Sequence, residues 1–167
     1  MALNLIQCDI TTLQTDAIVN AANSALAPGG GVCGAIFKAA GYQQLKAACQ
    51  SIGGCPTGHA VITPGFDLPA RYVIHTVGPI WHGGARNEAQ LLRACYLTSL
   101  KLAAEQGCQS IAFPLISSGI YGYPKEEAFQ IAISSIEEFL QEQEMDVILA
   151  LFDPEMVKLG QSLLDRS

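Results

Sequence analysis

The sequence predicts a single α/β domain in which a mostly parallel sheet is covered by helices on both faces. Short apolar segments rich in β-branched residues alternate with longer amphipathic segments, the pattern of strands alternating with helices. Half of the 167 residues are apolar, 14% are charged and the mean hydropathy is +0.28, as expected when strands are buried on both faces. The chain shows no repeat, linker or low-complexity tract, so residues 1–167 are assigned to one domain.

Each predicted strand is a run of apolar and β-branched residues bounded by polar or turn residues. In chain order the predicted strands are Leu3–Gln7, Ala17–Val19, Ala60–Thr63, Tyr72–Thr76, Ser110–Leu115 and Val147–Phe152. Ligands of such sheets bind at the carboxyl ends of the strands. A site is therefore expected in the loops after Val19, Leu115 and Phe152 and in the turn after Gln7.

The predicted helices show apolar residues at helical spacing and recognisable ends. Gly41 divides the first helical stretch in two, and Pro124 opens a later helix whose first turn contains Glu126 and Glu127. The five predicted helices are Val32–Ala40, Gln43–Ser51, Glu88–Gln106, Pro124–Gln143 and about Pro154 to Leu164.

The charge balance excludes several classes of partner. The formal net charge is −6 and the pI is near 4.9, whereas nucleic-acid binding requires a basic stripe, so no nucleic acid is expected. No apolar run approaches the ~18 residues of a membrane span, and no export signal is visible at residues 1–10, so no membrane is expected either. An anionic ligand must then be held by backbone amides and helix N-termini rather than by lysines.

The cysteines indicate neither a disulfide framework nor a metal site. None forms a C-x-x-C pair, and the three histidines do not group with them at zinc-ligand spacing, so no metal and no cofactor are expected. Reduced thiols in a cytoplasmic protein are the simplest interpretation of the six residues Cys8, Cys33, Cys49, Cys55, Cys95 and Cys108.

Gly29, Gly31 and Gly34 spell the G-x-G-x-x-G string of dinucleotide-binding turns. A Rossmann turn needs its first glycine directly after a strand and an acidic residue about 20 positions later. Here the predicted strand ends at Val19, no Asp or Glu occurs between residues 16 and 67, and no G-K-[ST] of a P-loop follows. Both of those motifs are therefore excluded.

Two interpretations of the glycine string remain, an anion site and a flexible loop. Glycines allow close approach of the backbone to a phosphate, and a helix starting at Val32 offers free amides and the positive end of its dipole, so anion binding is favoured. Residues 117–122, Ser-Ser-Gly-Ile-Tyr-Gly, form a second small-residue turn between a strand and a helix. Two such turns at one sheet predict a diphosphate lying between them.

The ordered motifs of this chain resemble those of the macrodomain family, which binds ADP-ribose. The resemblance implies a three-layer α/β/α sandwich around a six- or seven-stranded mixed sheet, and it covers nearly the whole chain. The segments that carry it are 8–10 (CDI), 18–23 (IVNAAN), 29–36 (GGGVCGAI), 58–60 (GHA), 73–79 (VIHTVGP) and 113–122 (FPLISSGIYG).

At the adenine end, the resemblance implies that Asp9 accepts a hydrogen bond from the exocyclic amine of adenine while the Ile10 amide contacts the ring. A helix N-cap is the alternative role of Asp9. Phe152 occupies the position of the aromatic residue that packs on the adenine face, and its alternative is a core phenylalanine. Stacking of a base on an aromatic side chain is worth about 1–3 kcal/mol.

At the other end, the resemblance implies that Asn23 is the catalytic residue that holds the hydroxyls of the distal ribose, the ribose not attached to adenine. A neutral amide donates to one hydroxyl and accepts from another without repelling the diphosphate. Tyr121 is expected to cover the distal ribose and the diphosphate. The alternative for Asn23 is an asparagine of a turn, and the alternative for Tyr121 is a tyrosine of a surface turn. The further ligand-binding residues implied are Asn20, Gly29, Gly30, Gly31, Val32, Cys33, Gly34, Ser117, Ser118, Gly119 and Ile120.

Cys33 departs from the family pattern, because the MacroD-like hydrolases carry at this position an aspartate proposed to activate water. Two functions stay open: hydrolysis of ADP-ribose from acidic side chains of modified proteins or of the acyl group of O-acyl-ADP-ribose, and binding of ADP-ribose without turnover. A substrate-assisted route remains available, in which a water held between the distal ribose and a diphosphate oxygen attacks the anomeric carbon. A thiolate at a helix N-terminus is an alternative, disfavoured because no base is evident beside Cys33.

Overall fold

A computed structural model describes residues 2–166, which form one six-stranded sheet with helices on both faces. The strand order is β1-β6-β5-β2-β4-β3, and all neighbours are parallel except β3 and β4. The strands are β1 (Leu3–Gln7), β2 (Ala17–Ala22), β3 (Ala60–Pro64), β4 (Tyr72–Val77), β5 (Ser110–Phe113) and β6 (Asp146–Leu151). The helices are α1 (Gly31–Ala40), α2 (Tyr42–Ile52), α3 (Glu88–Glu105), α4 (Lys125–Leu140) and α5 (Pro154–Asp165), with a 3-10 helix at Ile10–Thr12.

Two hydrophobic cores lie on opposite faces of the sheet, because successive residues of a strand point in opposite directions. Ile18 of β2 packs in the core beneath α1 and α2, whereas the next residue, Val19, packs in the larger core beneath α3, α4 and α5. The predicted α/β class, the three layers and the mixed sheet are therefore confirmed. No helix within residues 2–166 is long and apolar enough to cross a membrane.

Several predicted boundaries were wrong, most of them near the carboxyl edge of the sheet. β2 continues past Val19 to Ala22, because Asn20–Ala22 pair in parallel with residues 75–77 of β4. β5 ends at Phe113 instead of Leu115, directly before Pro114, whose ring nitrogen has no hydrogen to donate to a neighbouring strand. β6 ends one residue before Phe152, so that Phe152 lies in a loop. α4 is three residues shorter at its end than predicted.

Candidate functional site

A cleft of about 580 Å³ lies at the carboxyl ends of β2, β5 and β6. Its volume is within the range of roughly 300–1,000 Å³ typical of small-molecule sites. Its walls are formed by residues after β2, the start of α1, the loop after β5 and the residues after β6. The lining residues are Ala21, Ala22, Asn23, Gly29, Gly30, Gly31, Val32, Cys33, Gly78, Pro114, Leu115, Ile116, Ser117, Ser118, Gly119, Ile120, Tyr121, Ala150, Leu151, Phe152, Asp153 and Met156.

The first wall is the glycine loop, residues 29–34, where the chain turns into α1. Gly30 is the N-cap, and no side chain caps the helix. Within residues 2–166 the backbone amides of Gly31, Val32 and Cys33 donate no hydrogen bond, as is usual in the first turn of a helix. These amides and the helix dipole therefore present an uncompensated positive end to the cleft.

Gly34 lies behind this wall and does not line the cleft. Its amide donates to the carbonyl of Gly30 at 3.2 Å, and a Cβ built on it would lie only 2.5 Å from the carbonyl oxygen of Gly29. A side chain at position 34 is thus incompatible with the observed path of the loop. The lack of a side chain at Gly34 therefore allows the observed position of the Gly29 carbonyl.

The second wall is the serine loop, residues 117–122. Ser117 has a φ of 67°, and its hydroxyl donates to the carbonyl of Pro79 at 2.8 Å. The Ser118 hydroxyl donates to the carbonyl of Leu115 at 2.7 Å. In the part of the chain that the structure describes, the backbone amides of residues 119–121 donate no hydrogen bond. A second set of free amides therefore borders the cleft.

Two buried contacts hold the serine loop in place from behind. The Tyr96 hydroxyl accepts from the amide of Ile116 at 3.1 Å and contacts the carbonyl of Pro114 at 3.5 Å. Gly78, after β4, packs so closely on the loop that a Cβ there would lie 2.2 Å from Ser117 Oγ. The motif containing Gly78 was visible in the sequence, but its part in this wall was not predicted.

The cleft contains no lysine or arginine among its lining residues. Its charged residue is Asp153, whose Oδ1 accepts from the Glu155 amide at 2.9 Å and caps α5. Phe152 is 81% exposed beside it, so the alternative of a core phenylalanine is wrong. The cleft thus offers an unpaired aromatic face at one end and free amides along its walls.

Asp9 and Ile10 follow β1, the strand next to β6, and are not among the lining residues of the cleft. Asp9 caps the 3-10 helix: its Oδ1 accepts from the Thr11 amide at 3.0 Å and from the Thr11 hydroxyl at 2.7 Å. Within residues 2–166 its Oδ2 accepts no hydrogen bond, and the side chain is exposed. The cap observed here therefore leaves one carboxylate oxygen available to a ligand.

Asn23 follows β2 and lines the cleft beside the start of α1. Its amide makes two hydrogen bonds to Ala27, donating to the carbonyl and accepting from the backbone amide, each at 2.9 Å. A side-chain amide has two hydrogens and two lone pairs, so one donor and one acceptor remain. A Cβ built on Gly29 would lie 3.8 Å from Asn23 Nδ2 and 3.7 Å from Cys33 Sγ, so all three residues meet at one point.

Asn20 is 1% exposed and lies beneath the cleft instead of in its wall. Its Nδ2 lies 3.0 Å from His75 Nδ1 and 3.7 Å from Cys33 Sγ. His75 Nε2 in turn lies 3.0 Å from the Thr63 hydroxyl. Burial lowers the pKa of His75 to about 4, so the imidazole is neutral at pH 7. A buried polar chain from β3 through β4 and β2 therefore ends at the cysteine of the glycine loop.

Most of the predicted site residues converge on one cleft. Asn23, residues 29–33, residues 117–121 and Phe152 line it, whereas Asp9, Ile10, Asn20 and Gly34 do not. Lining residues that the sequence did not single out are mainly small or apolar and come from strand ends. Their shared signal is a position at or just after the end of a predicted strand, as for Ala21, Ala22, Pro114, Leu115, Ile116 and Asp153, whereas Met156 lies in the predicted last helix.

Comparison with known proteins supports the resemblance to the macrodomain family. The family model described as Macro domain matches residues 19–132. A macro domain-containing protein of Chlorobaculum tepidum is 58% identical over 141 residues, covering 84% of this chain and 81% of the relative. The O-acetyl-ADP-ribose deacetylase of Citrobacter rodentium is 52% identical over 168 residues, covering 97% and 94%.

Solved structures of macrodomains have the same fold as this chain. The Oceanobacillus iheyensis macrodomain with ADP superposes with a TM-score of 0.94 at 43% identity, covering 98% of this chain and 90% of the other. The Trypanosoma brucei macrodomain in complex with ADP-ribose superposes with a TM-score of 0.90 at 41% identity, covering 96% and 68%. Sequence, fold and cleft agree, and this chain belongs to the macrodomain family.

Proposed function

We propose that this protein binds ADP-ribose in the cleft and hydrolyses esters of its distal ribose. The observation that carries the proposal is the pair of loops whose residues 29–33 and 117–121 line one cleft with free backbone amides and no cationic side chain. Relatives named O-acetyl-ADP-ribose deacetylase are 50–54% identical over most of the chain. Their name supports a deacylase. We propose removal of ADP-ribose from acidic side chains of proteins beside it, because that reaction also breaks an ester of the distal ribose.

The order of strands sets the direction of the ligand. From β1 to β2 the sheet spans three strand intervals of ~4.8 Å, roughly 14 Å. Asp9 and Phe152 lie at the β1 and β6 end, and Asn23 at the β2 end. Adenine placed on Phe152, with its amine at Asp9 Oδ2, leaves the diphosphate between the two amide-bearing loops and the distal ribose at Asn23.

The reaction follows from this placement. Asn23 uses its remaining donor and acceptor to orient the ribose hydroxyls, because its other two hydrogen bonds tie it to Ala27. In an ADP-ribosylated protein, the anomeric carbon of the distal ribose is esterified to a carboxyl group. A water held between the distal ribose and a diphosphate oxygen attacks this carbon. The bond from that carbon to the ester oxygen breaks, the protein leaves as a carboxylate, and the proton of the water passes to the diphosphate oxygen. Attack on the carbonyl carbon of an O-acyl group gives a free acid and the ribose hydroxyl.

Cys33 supplies its backbone amide in this scheme, and its thiol takes no part. The sulfur faces Asn20 Nδ2 and does not touch His75 directly. Because the Asn20 side chain lies between them, Cys33 and His75 do not form the cysteine–histidine pair that would create a thiolate. His75 is also a poor base near neutral pH, because its pKa is lowered to about 4. This geometry favours the substrate-assisted route.

Single-turnover release of ADP-ribose tests the proposal with wild type, Asn23→Ala and Cys33→Ala. We expect Asn23→Ala to slow the reaction by at least about tenfold, a barrier increase of about 1.4 kcal/mol, with a smaller loss of ADP-ribose affinity. Cys33→Ala keeps the backbone amide and is expected to keep most of the rate.

The outcomes are distinct. Near-complete inactivation by Cys33→Ala with binding intact would establish a thiolate mechanism instead. Binding of ADP-ribose by wild type without turnover of either ester, under conditions where a control hydrolase works, would leave a binding module.

We further propose ADP-ribosylated proteins as partners and the cytoplasm as the location, since the six cysteines are unpaired and the cytosol keeps thiols reduced.

A further inference from the structure

A second cavity of about 260 Å³ adjoins the cleft at its β2 end. Gly78 and Tyr121 line both cavities, and Ser24, the residue after Asn23, lines the second. The second cavity also includes the residues that follow β4, the next strand beyond β2 in the sheet. It therefore continues the line of the cleft past the point where the distal ribose is placed.

The partition between the two cavities is a fixed piece of structure. The Trp81 amide donates to the carbonyl of Tyr121 at 2.9 Å, and the Trp81 ring packs on Tyr123 with a centroid separation of 4.7 Å. The Ser117 hydroxyl adds the hydrogen bond to Pro79. The loop after β4 and the serine loop are thus joined, and the second cavity keeps its position relative to the first.

The outer wall of the second cavity is the loop of residues 82–87. The buried carboxylate of Glu88, 1% exposed, accepts from the backbone amides of His82 at 2.8 Å, Gly84 at 3.0 Å and Arg86 at 2.6 Å. Burial acts to raise the pKa of Glu88, but these amide hydrogen bonds outweigh it and lower the pKa to about 2. The negative charge of Glu88 is therefore compensated by the loop it organises.

Arg86 lines this cavity and differs from the other charged groups near the cleft. Within residues 2–166 its guanidinium makes no ion pair and no hydrogen bond, and the residue is exposed. Together the lining residues of the two cavities include no other lysine or arginine. A free guanidinium in a cavity that Ser24 and Thr57 also line suits a carboxylate, which it binds in a bidentate manner.

We propose that the second cavity binds the part of an ADP-ribosylated protein next to the modified residue, and that Arg86 selects an acidic side chain there. The inference rests on the proposed function, because it requires the distal ribose to lie at Asn23. An acetyl group would occupy only a small part of a 260 Å³ cavity, so the cavity matches a peptide substrate. The protein thus distinguishes modified proteins from small O-acyl esters through a surface outside the ADP-ribose cleft.

The test measures affinity and does not depend on turnover. Three ligands are titrated: free ADP-ribose, an ADP-ribosyl peptide with acidic flanking residues in which an amide replaces the ester, and the same peptide with Gln and Asn in the flanks. We expect wild type to bind the acidic peptide about two- to fivefold more tightly than the neutral one, the range of an exposed charge pair. Arg86→Ala and Arg86→Gln are expected to abolish that preference and to leave the affinity for free ADP-ribose unchanged.

Lys101→Ala is the matched control, because it removes the same charge from an exposed position 13 residues along α3 from Glu88, roughly 20 Å away. It is expected to keep the preference. Equal affinity of wild type for both peptides, or equal loss in Arg86→Ala and Lys101→Ala, would overturn the assignment of the second cavity while leaving ADP-ribose binding intact. Failure of wild type to bind free ADP-ribose would overturn the proposed function and the assignment with it.

Discussion

Replacing Gly34 with alanine tests whether the path of the glycine loop sets the affinity for ADP-ribose. The added Cβ would lie 2.5 Å from the carbonyl oxygen of Gly29, whereas real Cβ contacts essentially never fall below 3.0 Å and ordinary contacts begin at 3.4 Å. The carbonyl must therefore move by at least 3.0 − 2.5 = 0.5 Å, and by 0.9 Å to reach ordinary contact. Since the loop continues directly into α1, the free amides of residues 31–33 shift with it.

A shift of this size lengthens a phosphate hydrogen bond beyond its useful range. Hydrogen bonds to charged groups contribute about 1.5–3 kcal/mol each, so losing one lowers the affinity by about tenfold or more. The helix itself is not weakened, because alanine is a better helix former than glycine by about 1 kcal/mol. We expect Gly34→Ala to melt close to the wild-type temperature and to bind ADP-ribose at least about tenfold more weakly.

Calorimetric titration with ADP-ribose, combined with thermal melting, measures both quantities. Ala35→Ser serves as the control, because position 35 is the exposed neighbour on the same helix turn and also gains one side-chain atom. Wild-type affinity in a folded Gly34→Ala protein would refute the reasoning. It would show either that the loop relaxes without cost or that the diphosphate does not lie against it.

Three further predictions concern the aromatic, the buried tyrosine and the buried histidine. Phe152→Ala removes an exposed stacking surface, so the binding free energies of AMP and of ADP-ribose should both weaken by the same amount, about 1–3 kcal/mol. Unequal losses in the two titrations would place adenine elsewhere. Tyr96→Phe leaves the amide behind the serine loop unpaired and should reduce the free energy of unfolding by about 1–3 kcal/mol in urea titrations, whereas the exposed Tyr42→Phe should have little effect. The folded-state pKa of His75 is about 4 against 6.5 unfolded, so the unfolded chain binds the proton first and stability falls as pH drops from about 6.5 to 4. The expected loss is on the order of 3 kcal/mol, and a His75→Gln protein with the same pH slope would contradict it.

The layout of the fold could be predicted from the sequence because its strands are strongly apolar. Leu3–Gln7 was predicted with both ends correct. The end of β2 was not, because Asn20–Ala22 are small or polar and lack the β-branched pattern. Their pairing partners in β4 supply what local preference does not. Boundaries of this kind depend on contacts between residues more than fifty positions apart.

In the candidate site, too, features with a local sequence pattern could be predicted and those set by distant contacts could not. The two loops were predicted because small residues between a strand and a helix have a direct physical use. The burial of Asn20 was not predicted, because its partner His75 is 55 residues away and neither neighbour in sequence indicates the contact. The second cavity also left no recognisable pattern, since Glu88 binds the loop through main-chain amides.

The way Glu88 holds the loop of residues 82–87 separates the path of this loop from the chemistry of its side chains. Every residue except proline carries a main-chain amide, so the anchor persists when the side chain of His82 or Arg86 is replaced. Mutations there change the chemistry facing a bound protein without disturbing the loop path or the ADP-ribose cleft. The loop of residues 82–87 is therefore the natural place to randomise when new specificities are sought by selection, with Glu88 kept unchanged.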